Sequence, residues 1–197
     1  MTVQLVLATR NPHKVAELAR ILEGLDVALL SGLDLDIPDV EETGETFEAN
    51  ALLKARAGME ATGYPCLADD SGLAVDALGG EPGVRSARYA GAHGDDAANL
   101  ALVVERTAGA AVRTARFVCA AALATPAGEA VEVGTLEGTL ADRPRGSGGF
   151  GYDPILVPLG ENRTCAELAP EEKDAISHRG EAFRAIRPAI ARLLGSS

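Results

Sequence analysis

Along the first part of the chain, short continuous hydrophobic runs alternate with segments whose hydrophobic residues have helical spacing. Residues 3–8 form a nearly continuous apolar run, and residues 15–22 place apolar side chains at the spacing of one helix face. A strand near 27–30 and a helix over about 46–63 follow, before a second apolar run at 65–68. The order strand, helix, strand, helix, strand predicts an α/β core with parallel neighbouring strands.

The rest of the chain predicts a mixed sheet. Residues 114–125 and 130–140 are long enough to pair as an antiparallel hairpin, and Asp95 or Asp96 can cap the helix before them. A glycine-rich loop, a short strand and the apolar stripe of a final helix follow. Because no repeat or linker interrupts the sequence, we expect one domain over residues 1–197. Its fold class is α/β, an elongated mixed β-sheet with flanking helices and two lobes around one central cleft.

Composition narrows the partners and the compartment. The net charge of -11 would repel a nucleic-acid polymer or an anionic membrane, but a small anion can bind where cations gather. Three widely spaced cysteines indicate reduced thiols rather than a disulfide scaffold. No basic leader is present, and the longest apolar stretch, 117–124, is too short to span a bilayer. We therefore expect a cytoplasmic protein.

Two adjacent carboxylates, Asp69 and Asp70, follow the apolar run at 65–68. We expect them at the carboxyl end of a strand, where ligands usually bind in an α/β sheet. Paired acids at such a position can hold Mg²⁺ or take a proton from an attacking water. The alternative is a purely structural turn.

Lysine is rare in this chain, with three lysines against fifteen arginines. Each of the three falls in a segment suited to ligands, which predicts compact point charges against phosphate. Lys14 ends the turn of residues 9–14, where a strand meets a helix and a phosphate could bind; taken alone, the segment is more typical of an ordinary capped turn. Lys54 follows an acidic stretch that could instead be a solvated helix face.

Residues 146–153 combine a glycine-rich loop with two aromatic rings and a carboxylate, as a purine pocket requires, although a plain hairpin loop would look similar. Residues 177–180 follow Lys173 closely and offer two donors, His178 and Arg179, at the start of the final helix. No cysteine or serine nucleophile pattern accompanies His178, so a catalytic triad is not expected.

Five motifs in one order resemble the inosine/xanthosine triphosphate pyrophosphatase family over essentially the whole chain. This family removes non-standard purine nucleotides such as ITP, dITP and XTP, and its fold is shared by ITPase-like and Maf-like enzymes. The motifs are Thr9-Arg10-Asn11-Pro12-His13-Lys14, the segment from Glu41 to Lys54, Ala68-Asp69-Asp70-Ser71-Gly72-Leu73, Gly149-Phe150-Gly151-Tyr152-Asp153-Pro154, and Glu172-Lys173 with Ser177-His178-Arg179.

The resemblance implies a reaction and a set of site residues. By this resemblance, the protein is a homodimer that uses Mg²⁺. It cuts a nucleoside triphosphate between the α- and β-phosphates and releases a nucleoside monophosphate and pyrophosphate. Asp70 matches the proton acceptor and a metal ligand, and Glu41 the second metal-site acid, with Glu42 as the alternative. The residues implied to bind the triphosphate are Thr9, Arg10, Asn11, Pro12, His13, Lys14 and Lys54. Ser71 matches a further substrate contact. The residues implied to form the nucleoside pocket are Phe150, Gly151, Tyr152, Asp153, Lys173, His178 and Arg179.

Base selectivity has a physical basis in this reading. Hypoxanthine and xanthine offer a 6-keto acceptor to His178 and Arg179, whereas the 6-amino group of adenine would set donor against donor. Arg10 departs from the small or amide residue that is common in its turn, which leaves the direction of its side chain open. The alternatives are a Maf-like pyrophosphatase with another base preference, and a nucleotide sensor that does not hydrolyse.

Overall fold

A computed structural model describes residues 3–35, 37–92 and 94–195. The strands are β1 (Val3–Leu7), β2 (Val27–Ser31), β3 (Cys66–Val75), β4 (Thr114–Thr125), β5 (Gly128–Leu140) and β6 (Leu156–Pro158). The helices are α1 (Pro12–Ile21), α2 (Phe47–Thr62), α3 (Asp96–Arg106), α4 (Pro170–Ile176) and α5 (His178–Leu194). Within the described part of the chain, no helix is both long and apolar enough to cross a membrane.

The six strands form one sheet in the order β2-β1-β3-β4-β5-β6. β1 pairs in parallel with β2 and β3, whereas β5 and β6 are antiparallel. Two residues connect β4 to β5, a connection that only antiparallel neighbours allow. The predicted mixed α/β sheet with flanking helices is confirmed, including the hairpin and the cap of α3 by Asp95.

The chain divides into two compact units. The first unit comprises Met1–Asp70, Cys119–Gly134 and Arg179–Ser197, and the second comprises Ser71–Val118 and Thr135–His178. The boundaries fall inside β3, β4, β5 and α5 rather than in loops. Neither unit is therefore a continuous segment, and the single pyrophosphatase domain over 1–197 stays a prediction.

The first unit buries side chains on both faces of its strands. Because successive strand residues point to opposite faces, Cys119, Ala121 and Leu123 of β4 pack with α1 and α5 in one cluster. The residues between them, Ala120, Ala122 and Ala124, pack with alanines of α2 in another. The same alternation governs β3, where Leu67 joins the first cluster and Ala68 the second.

The second unit has its own apolar core. It joins Leu73 and Val75 of β3 to the last strands, to α3 and to the segment that follows the glycine-rich loop. Its buried members are Leu73, Val75, Val103, Ala115, Phe117, Leu136, Leu140, Tyr152, Ile155, Leu156 and Cys165.

Close packing of α2 on β3 depends on Gly58. A Cβ atom at this position would lie 2.5 Å from Sγ of Cys66 and 3.1 Å from Cβ of Ala8. We expect Gly58→Ala to lower the free energy of unfolding, because overpacking costs about 1–3 kcal/mol while the gain in helix propensity is only about 1 kcal/mol. Chemical denaturation measures the change.

The double variant Gly58→Ala/Cys66→Ala provides the control, because it removes the nearest obstructing atom. The destabilisation by Gly58→Ala should be smaller in the Cys66→Ala background than in the wild type, and a double-mutant cycle quantifies that coupling. Equal destabilisation in both backgrounds would contradict the contact.

Candidate active site

Asp69 and Asp70 lie inside β3, not at its carboxyl end as predicted. The prediction was wrong because β3 continues to Val75 beyond the last residue of β1. The ladder between β1 and β3 ends at the pair Leu7 and Leu67, so both acids nevertheless lie just past the end of the neighbouring parallel strand. Both side chains are buried.

The two acids point to opposite faces of β3 and therefore meet different helices. Asp69 shares the face of Leu67, towards α1 and α5, and Asp70 shares the face of Ala68, towards α2. They do not form one carboxylate pair. Each has its own lysine instead.

Oδ2 of Asp69 accepts a hydrogen bond from Nζ of Lys14 at 2.8 Å. It also faces Nε and Nη2 of Arg179, each at 3.4 Å. Burial opposes ionisation of Asp69, but the charges of Lys14, Arg179 and Lys54 outweigh burial and hold its pKa well below the usual range. Asp69 is therefore a fixed negative charge.

Arg179 is buried and joins three elements of the first unit. Its Nη1 donates to Oε2 of Glu17 on α1, while its other nitrogens face Asp69 on β3. Arg179 stays a predicted contact of the purine base, and the structure shows that its guanidinium belongs to the charge cluster of Asp69. Glu17 was missed by the sequence reading, although it lies on the same helix face as Lys14, Leu18 and Ile21.

Asp70 meets Lys54 and Asn50 of α2. Nζ of Lys54 donates to Oδ1 of Asp70 at 2.7 Å, and Nδ2 of Asn50 lies 3.4 Å from Oδ2. Burial raises the pKa of Asp70 above that of an ordinary aspartate, and the charge of Glu42 adds to the shift, while Lys54 opposes it. Asp70 is therefore a stronger base than a solvated carboxylate.

Lys54 lies at the centre of three acids. Its Nζ also contacts Oε1 of Glu42 at 2.9 Å and the backbone oxygen of Asp69 at 3.1 Å. Burial alone would lower its pKa, but Asp70, Asp69 and Glu42 together raise it, so the ammonium stays charged. Glu42 therefore belongs to this cluster, whereas the neighbouring Glu41 is exposed.

Asn50 is a second site residue that the sequence reading left out of the site. It is fully buried, and its amide exchanges hydrogen bonds with Gly44 N at 2.8 Å and Gly44 O at 3.2 Å. Asn50 thus connects the acidic segment to Asp70. A polar residue within the buried alanine face of α2 was the available signal.

The turn of residues 9–14 forms a capped helix start. Asn11 is the N-cap of α1 and its Oδ1 accepts from His13 N at 2.9 Å and Lys14 N at 3.3 Å. Thr9 Oγ1 accepts from Asn11 N, and Pro12 has no backbone N–H. The amides that we expected to meet phosphate are thus engaged by Asn11, and the turn presents Nζ of Lys14 instead.

Arg10 points towards the acidic segment. Its Nη1 lies 2.9 Å from Oδ1 of Asp39, and its Nη2 donates to the carbonyl oxygen of Ile37. Both charged side chains of this pair are largely exposed. The contact stabilises the fold little.

A second group of predicted residues lies in the second unit. Oδ2 of Asp153 accepts from Nζ of Lys173 at 2.6 Å and from Phe150 N at 2.8 Å. Nζ of Lys173 also lies 5.0 Å from the centroid of the Phe150 ring. Gly149 is required here, because its φ is +69° and a Cβ would lie 2.0 Å from Oδ2 of Asp153.

The other predicted residues of the second unit have separate contacts. Gly151 N donates to Oδ2 of Asp96 at 3.0 Å, and Tyr152 donates its hydroxyl hydrogen to the carbonyl of Ser86 at 2.8 Å. The ring of His178 lies 4.9 Å from that of Phe117. Ser71 follows Asp70 in β3 and is partly exposed.

The described residues contain no group of three or more His, Cys, Asp or Glu side chains that could hold a metal ion by themselves. Asp70 and Glu42 nevertheless present carboxylate oxygens, the donors that Mg²⁺ prefers. At phosphate sites Mg²⁺ commonly takes only one or two carboxylates and completes its shell with phosphate oxygens and water. The donor chemistry of the Asp70 cluster therefore fits this ion.

Comparison with known proteins identifies the relatives of this chain. Residues 5–189 match the model of the Ham1 family. A dITP/XTP pyrophosphatase from Streptomyces coelicolor is 60% identical over 200 residues, which cover 98% of this chain and 99% of the relative. A dITP/XTP pyrophosphatase from Nocardia farcinica is 55% identical over 202 residues, covering 98% of each chain.

Solved structures agree with this relationship. A HAM1 protein from Coxiella burnetii superimposes with a TM-score of 0.87 at 42% identity and covers 97% of this chain and 100% of its own. A nucleoside-triphosphatase / dITP/XTP pyrophosphatase from Mycobacterium abscessus has a TM-score of 0.75 at 54% identity, covering 93% and 98%. The resemblance drawn from the five motifs is confirmed.

Breaking the buried ion pair between Glu17 and Arg179 should strongly destabilise the protein. We expect Glu17→Gln to lower the free energy of unfolding by about 3 kcal/mol, because it leaves a buried guanidinium without one of its anions. Urea denaturation measures the change. Glu129→Gln is the control, since it breaks an exposed bidentate pair with Arg56 and should change stability little. Equal effects of the two changes would contradict the assigned role of burial.

Proposed function

The chain belongs to the Ham1 family, and on that premise we propose that it hydrolyses ITP, dITP and XTP to the nucleoside monophosphate and pyrophosphate. The observation that carries the proposal is Asp70, a buried carboxylate of raised pKa that is held by the half-buried Lys54. Relatives at 50–60% identity over 95–98% of this chain are dITP/XTP pyrophosphatases, which supports the same reaction.

Asp70 is proposed to accept the proton of the attacking water. Lys54 holds its carboxylate in place, and Asn50 limits its rotation. A base in this role commonly accelerates hydrolysis by about 10² to 10⁴-fold. When bound, Mg²⁺ would neutralise phosphate charge; Asp70 with Glu41 or Glu42 would hold it.

Lys14 and Lys54 are proposed to bind the triphosphate together with Thr9, Arg10, Asn11, Pro12 and His13. Asp69 orients the ammonium of Lys14 towards the substrate, because its Oδ2 lies 2.8 Å from Nζ of Lys14. Arg179 contacts the same carboxylate oxygen and partly balances its negative charge. Asp69 is thereby a positioning residue. An arginine in place of Lys14 could not keep the same single-point contact.

The second group is proposed to bind the nucleoside. Phe150 offers a ring face, and Asp153 offers a carboxylate that accepts a hydrogen bond from Lys173 at 2.6 Å. His178, Gly151, Tyr152 and Ser71 complete the residues assigned to this part of the substrate. Recognition of the 6-keto group is assigned to His178 and Arg179.

Assembly and location are part of the same proposal. We infer a homodimer that acts in the cytoplasm, and the three buried cysteines, which form no disulfide, suit a reducing compartment. A Maf-like base preference is not favoured, because the relatives of this chain are dITP/XTP pyrophosphatases. The buried acids of β3 also favour turnover over a sensor role.

The reaction is tested by pyrophosphate release from dITP, XTP, dGTP and dATP. We expect dITP and XTP to be preferred and Asp70→Asn to lower kcat by about 10² to 10⁴-fold while nucleotide binding is retained. Asp142→Asn, which changes an exposed aspartate, is the control. Near-normal turnover by folded Asp70→Asn protein would remove Asp70 from the mechanism.

Metal dependence is tested separately. Treatment with EDTA followed by desalting should abolish pyrophosphate release, and added Mg²⁺ should restore it, because lysines alone do not neutralise a triphosphate. The melting temperature before and after treatment serves as the control for unfolding. Full activity after chelation would count against the proposed cofactor.

A further inference from the structure

Tyr152 lies among the residues assigned to the nucleoside, but its hydroxyl has another task. The side chain is 7% exposed and packs in the apolar core of the second unit. Its hydroxyl donates to the backbone oxygen of Ser86 at 2.8 Å. A buried phenol usually finds one such partner, and here that partner belongs to the protein.

Ser86 in turn is tied to β3. Its Oγ accepts a hydrogen bond from Leu73 N at 2.9 Å and donates to Gly83 O at 2.7 Å. Ser86 is 6% exposed, so these bonds are shielded from water. The hydroxyl thereby fixes the 3-10 helical segment Gly83–Arg88 against the strand.

The contact with Leu73 occurs where β3 no longer pairs with β1. The ladder between these strands ends at Leu67. Beyond it, residues 81–86 run beside β3, with Val75 N donating to Glu81 O at 3.1 Å and a bridge between Ala74 and Pro82. The Ser86 hydroxyl satisfies a backbone amide that a strand would otherwise satisfy.

Tyr152 is also part of the compact glycine-rich loop. Its carbonyl accepts from Ile155 N at 3.0 Å, and the next residue, Asp153, accepts from Phe150 N at 2.8 Å. Movement of Tyr152 would therefore move Phe150 and Asp153 with it. Both residues are assigned to the purine nucleoside.

We propose that the relay Tyr152–Ser86–Leu73 is a positioning device that anchors the loop of residues 149–153 to β3, three residues after Asp70. This inference rests on the proposed function, which it deepens by giving base selectivity a second source besides direct contacts. In this relay, Tyr152 and Ser86 are positioning residues. Neither hydroxyl touches the nucleotide.

The test compares kcat and KM for dITP and dATP in Tyr152→Phe, Ser86→Ala and the double variant. A loosened loop should raise KM for dITP more than for dATP, so the ratio of kcat/KM should narrow about 3- to 10-fold, the range that one buried hydrogen bond supports. In the double variant, the ratio of kcat/KM for dITP over dATP should narrow no more than in the more affected single variant, because both changes break the same relay.

Two control variants separate positioning from plain destabilisation. Thr107→Val removes a buried hydroxyl of the same unit that donates to Val103 O, so it should lower the melting temperature without changing the substrate ratio. Tyr64→Phe removes an exposed phenol and should change neither quantity. If the relay variants behave like Thr107→Val, the proposal is overturned. It is also overturned if Tyr152→Phe narrows the ratio and folded Ser86→Ala does not, since Tyr152 then contacts the nucleotide directly.

A binding measurement keeps this inference separate from the proposed reaction. Titration calorimetry with dITP and dATP in EDTA gives a ratio of Kd values without turnover. If the wild type released no pyrophosphate, the proposed function would fail. The relay would still be supported by a narrowed Kd ratio in Tyr152→Phe and overturned by an unchanged one.

Discussion

The structure of the candidate site depends on keeping two adjacent carboxylates ionised inside a strand. A buried charge is costly unless it is paired and hydrogen-bonded. β3 meets this constraint by directing Asp69 and Asp70 to opposite faces, so that each acid has its own lysine and its own helix. This separation gives the two acids different pKa shifts, downward for Asp69 and upward for Asp70. One acid can thus serve as a fixed counter-charge and its neighbour as a base.

The three lysines follow one pattern. Lys14, Lys54 and Lys173 each lie within 2.8 Å of a buried aspartate, in two different units of the protein. Surface ion pairs of this chain use arginine instead, as the bidentate pair of Arg56 with Glu129 shows. This difference between lysine and arginine fits their chemistry. An ammonium that makes one contact to an aspartate can exchange it for a contact to phosphate more readily than a guanidinium that makes two.

The sequence predicted periodic elements better than contacts between distant residues. The strands, the hairpin and the cap of α3 follow from local spacing and turn residues, and the motifs identified the family. The length of β3 was underestimated because two acids resemble a strand end when only local polarity is considered. Glu17 and Asn50 were missed because their roles depend on partners that folding brings near, and the ion pair of Arg179 with Glu17 could not be predicted for the same reason.

The charge cluster of Asp69 also determines how late in synthesis the first unit can fold. Arg179 lies 110 residues after Asp69 and 162 after Glu17. During synthesis the ribosome therefore makes α1 and β3 long before the guanidinium that stabilises their buried acids. Until Arg179 is made, neither Asp69 nor Glu17 has the guanidinium that faces it in the folded protein. The first unit can close only after the residues from Arg179 onward have been made, so its charge cluster is assembled late in synthesis from segments that are far apart in the sequence.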